Sequence, residues 1–382
     1  MEAVDVVNLI QWRYISIVMA KESPFVKIAR SSGAEFSEEN GWLLPSHFGD
    51  PLREYQAVRS KVGLIDLCHR GILRFTGPDR ISFLQGMVSN DVKALADGEG
   101  FPAAILNVQG KILADTRILC GSDFMLLDLW EFLKDKILDH LNHYLIADEV
   151  EITDLTAHWG ILSFQGPKAR SFLTELFADD KLPALEHSHC ALSIGGAQLR
   201  LIRSTHTGNE GYDLLAEIKT LSAIFPRIQA LTENFSARWI GSQALEILRI
   251  EAAIPRYGID MNEDNLLLET GLEQAVSFQK GCYLGQEVLE RIRSRGHVNR
   301  RLAGMVLEGD APAGRNDAVH SGEKEIGRVT SSTFSPFLNR PIALGYIHRN
   351  YLEPGIPLLI HHNSKTIAAK VAPLPFYRMD GS

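Results

Sequence analysis

The sequence predicts an α+β fold of two related α+β domains followed by a C-terminal antiparallel β-barrel. Two observations carry this. First, GILRFTGPDRISFL (71–84) recurs as GILSFQGPKARSFL (160–173), with nine of fourteen positions identical and no gap. Second, from about residue 302 short apolar runs alternate with Gly, Pro and Asn turns, which is how small barrels read.

Each copy of the repeat has the same physical logic. Ile72–Phe75 and Ile161–Phe164 are short apolar strands that end at Gly-Pro. Pro78 and Pro167 suit the first turn of a helix, where the missing N–H costs nothing. Phe83, Leu84, Phe172 and Leu173 then supply the buried helix face.

Around the repeats, 105–119 (ILNVQGKILADTRIL) reads as a hairpin turning at Gln109-Gly110. Segment 126–144 has Leu129, Phe132, Leu133, Ile137, Leu138 and Leu141 at helical spacing, predicting a helix. Segment 190–217 reads as two strands around Thr207–Gly211. GSQALEILRIEA (241–252) predicts a helix capped by Ser242.

The 382 residues suffice for two or three domains. The net charge of −8 argues against a protein that coats nucleic acid. Cys68, Cys120, Cys190 and Cys282 form no Cys-x-x-Cys, so no disulfide framework or zinc ribbon is indicated, and a reducing, cytoplasmic setting is expected. No run of about 18 apolar residues predicts a membrane span. Residues 1–18 carry Glu2, Asp5 and Arg13 and lack a signal-peptide pattern; Met19 is an alternative start.

The stretch KGCYLGQE (280–287) is the chemical focus. A candidate helix follows, with Leu284, Val288 and Ile292 on one face. Cys282 is expected at or just before its N-terminus with Lys280 nearby, and both features favour a thiolate; the alternative is a small buried cysteine. Lys280, Arg291, Arg293, Arg295, Arg300 and Arg301 face only Glu287 and Glu290 across 280–301. Such a cluster suits an anion such as polyglutamate, phosphate or RNA, or else is a solvated helix face. His187, His189 and Cys190 offer no fourth ligand and alternate in direction along a strand, so no metal site is expected. Thr207–Gly211 lacks the P-loop ending.

Several stretches resemble the glycine-cleavage T-protein superfamily: VRSKVGLID (58–66), LNVQGKILAD with the preceding Ser-Asn-Asp (88–115), TGNEGYD (207–213) and LRIEAAIPRYGID (248–260). KGCYLGQE resembles the YgfZ-type branch in particular. The resemblance spans about 45–375 and implies a three-domain cloverleaf with tetrahydrofolate, or a related reduced folate, in a central channel. It implies a folate-binding domain at 45–147 plus 240–295, a second α+β domain at 148–239, a barrel domain at 296–378 and an N-terminal extension at 1–44. It places Asp213, where the family usually has Glu, on the pterin ring, and Arg249, Lys280, Asn107 and Tyr257 toward the folate, with Cys282 as a functional thiol.

The aminomethyltransferase hairpin ends in two aspartates, the first read as catalytic; here they are Ala114 and Asp115, and Lys111 replaces the companion Gly. The resemblance therefore implies an accessory protein for iron–sulfur enzymes, and through them tRNA modification, rather than glycine cleavage. A folate-dependent one-carbon transferase or demethylase, and an RNA-binding module using 280–301, are the alternatives.

Overall fold

The computed structural model describes residues 20–378 apart from 179, 180, 195 and 364, so residues 1–18 lie outside it. The two repeats become two sheets. The first has five strands in the order 100–106, 112–120, 125–130, 70–76, 151–154. The second has six, in the order 189–194, 197–203, 211–217, 159–165, 63–66, 238–239. Each repeat is a strand (Arg70–Thr76; Trp159–Gln165) feeding a helix (Arg80–Met87; Ala169–Phe177). The glycine between them is left-handed in both copies, φ +100° at Gly77 and +127° at Gly166. A Cβ there would meet a backbone carbonyl at 2.1 and 2.5 Å, so glycine is retained in both.

The sheets exchange strands. Strand Gly63–Asp66 precedes the first repeat yet pairs with Leu162–Gln165 of the second, while Glu151–Asp154 precedes the second and pairs with Leu73–Thr76 of the first. One apolar core, including Ile65, Ile72, Leu119, Ile161, Ile202 and Leu215, joins the two units. Six further strands from Arg300 to Ala372 close the antiparallel barrel expected from the turn pattern. The helix Ser242–Glu251 is the common axle: Ala244 and Leu248 sit in the inter-sheet core, while Arg249 and Glu251 bond barrel residues Ser331 and Ser335. Among the described residues no helix is long and apolar enough to cross a membrane.

Three local expectations are corrected. Residues Met125–Trp130 are a strand wedged between two others, and the helix begins only at Lys134; the apolar spacing served a two-sided buried strand first. Segment 190–217 holds three strands rather than two. Ser242 is the first residue of its helix, and Gly241 before it offers no side-chain cap.

Candidate functional site

The site is built from charged residues that the two sheets bring face to face. Along Ile112–Cys120, Ala114, Ile118 and Cys120 enter the first unit's apolar core. The intervening Asp115, Arg117 and Leu119 take the opposite face, as strand alternation requires. Arg117 anchors a chain of alternating charge. Arg70 Nε donates to Asp128 at 2.7 Å; Arg117 Nη2 donates to Asp128 at 2.6 Å and its Nη1 to Asp213 at 2.8 Å. His206 Nε2 lies 3.0 and 3.1 Å from the two Asp213 oxygens. Burial alone would raise the Asp213 pKa, but His206 and Arg117 together hold it well below the usual carboxylate range.

Above this chain lies an inner cavity of about 110 Å³, lined by Leu67, His69, Arg70, Trp130, His206 and Arg249 among others. His69 stacks on Trp130 at 5.8 Å, and Arg70 and Arg256 lie over the Trp130 ring at 4.9 and 5.3 Å. Burial, with Arg70 and Arg256 close by, pushes the His69 pKa down to about 3, so its imidazole is neutral. An outer groove of about 550 Å³ shares Glu39, Ser242, Glu246 and Arg256 with the cavity. Arg256 sits at this boundary, paired with Glu39 at 2.5 Å. A mainly apolar cavity edged by His69, Arg70, His206 and Arg249, next to a wider groove lined by Glu39, Glu246, Arg256 and Arg315, suits an aromatic heterocycle carrying a polar tail.

The residues named from sequence fall in three places. Asp213 and Arg249 reach the central site, but neither is free. Asp213 is fully buried in its ion pairs. Arg249, which lines the cavity, is held by Glu246, by Asp260 at 2.5 Å and by Ser331 at 2.6 Å. Tyr257 lines the outer groove, with its hydroxyl on the Ile112 carbonyl. Asn107 and Lys280 make contacts elsewhere: Asn107 Oδ1 accepts from Gln109 and Lys111 in its own turn. The structure adds Arg117, His206, His69, Trp130, Arg256 and Asp115 to the site. Only the alternation of 112–120 foreshadowed any of them.

Two expectations about chemistry are corrected. Position 114 faces the apolar core and is fully buried, so its alanine removes no carboxylate from the cavity side. Asp115, on the opposite face of the strand, is buried beside Arg70, Asp128 and Trp130, behind the residues that line the cavity. Burial raises its pKa, Arg70 opposes the rise, and its Oδ1 is buried without a hydrogen-bond partner among the described residues.

The second correction concerns Cys282. The helix starts at Gln286, after Gly285 at φ +82°, so Cys282 is four residues short of it. Lys280 turns inward: its Nζ donates to the carbonyls of Gln85, Val88 and Asn90 at 2.6, 2.7 and 2.8 Å. Burial lowers its pKa to about 8, and it faces these carbonyls rather than a thiolate. The rest of the motif is anchored as well. Tyr283 is buried in the first core, and a Cβ on Gly285 would meet the Asn107 carbonyl at 2.6 Å. Cys282 is left exposed on a pinned loop. Lys280→Met should therefore cost about 1–3 kcal/mol by stranding buried carbonyls, read from denaturant midpoints. An unchanged midpoint would show that the anchor is dispensable.

The basic stretch is largely neutralised. Arg291 pairs with Glu287, Arg293 with Glu290, Arg300 with Glu269 and Arg301 with Glu273.

Residues 25–280 match the GCVT N-terminal domain family, and residues 300–378 match the glycine cleavage T-protein C-terminal barrel domain. An aminomethyltransferase of Rubrobacter xylanophilus is 30% identical over 94% of this chain and 94% of its own length. One from Nostoc sp. is 31% identical over 93% and 95%. The crystal structure of glycine cleavage system aminomethyltransferase T from Bartonella henselae superposes with a TM-score of 0.85, covering 94% of this chain and 98% of that one at 24% identity, and so shares the three-unit fold. With both domain families matched in order along one chain, and relatives aligned nearly end to end, the protein belongs to the glycine cleavage T-protein family.

Proposed function

We propose that the protein binds a reduced folate, its pterin ring in the inner cavity and its tail in the outer groove. In this reading it serves as a YgfZ-type accessory factor for iron–sulfur enzymes, with Cys282 as the working thiol. The observation that carries the accessory role is the KGCYLGQE loop. Lys280, Tyr283 and Gly285 are each fixed inward, and the cysteine between them is left open to solvent. A loop so firmly anchored around an accessible thiol suits contact with another protein or a cluster better than packing does.

A second reading, folate-dependent one-carbon transfer as in an aminomethyltransferase, is favoured by Asp115, a carboxylate with a raised pKa on the cavity side of its strand.

Calorimetric titration with tetrahydrofolate should give saturable binding that weakens about ten- to a hundred-fold in Asp213→Ala. In a strain lacking the gene, Cys282→Ser and Cys282→Ala should fold normally yet leave iron–sulfur enzyme activities unrestored. Full restoration by both at normal protein levels would remove the thiol from the function. Tetrahydrofolate-dependent ammonia release from an aminomethyl-lipoyl carrier protein, lost in Asp115→Asn, would establish the second reading instead.

A further inference from the structure

Asp213 has no oxygen to offer a ligand. It is fully buried, Arg117 occupies one oxygen, and His206 Nε2 lies against both. The group that does reach the cavity is His206, which lines it with its side chain 30% exposed. Its main chain is fixed by a bond from His206 N to Gln165 Oε1 at 3.0 Å, and Gln165 is itself held by Ser163 and the Ser204 carbonyl. The other ring nitrogen, Nδ1, has no partner among the described residues.

We infer that recognition on the cavity floor runs through His206, and that Asp213 is a positioning residue that never touches the ligand. Arg117 keeps Asp213 ionised, and the carboxylate then selects the tautomer in which Nε2 carries the proton and donates to it. Nδ1 is left as a lone-pair acceptor toward the cavity. It fits a planar heterocycle that presents a ring N–H, which a reduced pterin does. The inference thus rests on the reduced-folate reading and deepens it.

The charged and titratable groups around His206 are Asp213 on its following strand, Arg117 from the first sheet, Glu186 and His187 from the segment before His189, and His69 from the turn before Arg70.

The test is tetrahydrofolate affinity by calorimetry at neutral pH, with thermal stability measured for every variant. His206→Phe should bind about ten- to a hundred-fold more weakly. His206→Asn, whose amide oxygen can stand where Nδ1 stood, should recover much of the affinity; His206→Gln, which places its amide at the Nε2 position, should not. Asp213→Asn should weaken the wild type but add less than about two-fold in the His206→Phe background, the mark of two residues acting as one. A His206→Phe curve that overlays wild type, or an Asp213→Asn penalty equal in both backgrounds, would return direct contact to Asp213. If Asp213→Asn does not fold, the three His206 variants decide alone. Wild type that binds no tetrahydrofolate would overturn the folate reading and this assignment together, whereas wild-type binding indifferent to His206 overturns the assignment only.

Discussion

Folding stability is expected to fall as the pH drops from about 6.5 to about 4. Three histidines are held neutral in the fold. Burial, then Arg70 and Arg256, lowers His69 to about 3; burial and Arg117 lower His187 to about 4; burial and Arg200 lower His189 to about 4. In the unfolded chain each takes up a proton near pH 6.5. Between that pH and the folded value the unfolded state binds more protons, so stability rises with pH across this window and is lost on acidification. For His189, only 4% exposed, the full window corresponds to about 3 kcal/mol. Asp213 acts in a different window, because its folded pKa is depressed. Its contribution is complete above about pH 4 and disappears only below it. Chemical denaturation at pH 7, 6, 5 and 4 checks this. A flat profile would contradict it, and His189→Gln should flatten the slope in part.

Arg117→Leu should destabilise the protein by about 3–5 kcal/mol, since in one step it takes a charged partner from two buried carboxylates, leaving Asp128 only Arg70 and Asp213 only His206 as ionisable partners. Replacing Asp213 by leucine as well should return part of that loss, because an apolar pair of similar volume need not be worse than a broken ion pair. Denaturant midpoints for the single and double variants measure both numbers. A loss below about 1 kcal/mol for the single variant would mean that water reaches the pair and screens it.

The duplication and the barrel were legible because they depend on local pattern: a repeated strand–Gly-Pro–helix unit and alternating strands with turn residues. Met125–Trp130 was misread because MLLDLW is buried on both faces once strands flank it on each side, and such a mostly apolar run looks the same in a helix. Asp213 and Arg249 were found through resemblance alone. Arg117 and His206 were missed because their importance comes from which sheet face meets which, a fact that no single strand contains. Asp115 was set aside from the sequence because strand alternation turns it to the face opposite Ala114; which face meets the second sheet depends on packing that the strand alone does not contain. Lys280 was read as an ally of Cys282 from sequence distance, yet three carbonyls around the helix end near Val88 outcompeted the thiol for it.

The traded strands have a consequence for how this molecule can be divided. Strand 63–66 belongs to the sheet built by the later copy, and 151–154 to the sheet built by the earlier one. A cut between the copies would leave each half carrying a strand that it cannot use and lacking one that it needs, with a bare sheet edge exposed to pairing with strangers. The two copies are therefore interlocked like clasped hands. Neither should survive as a free fragment, and rearrangements that shuffle whole domains should find no clean seam between residues 66 and 151.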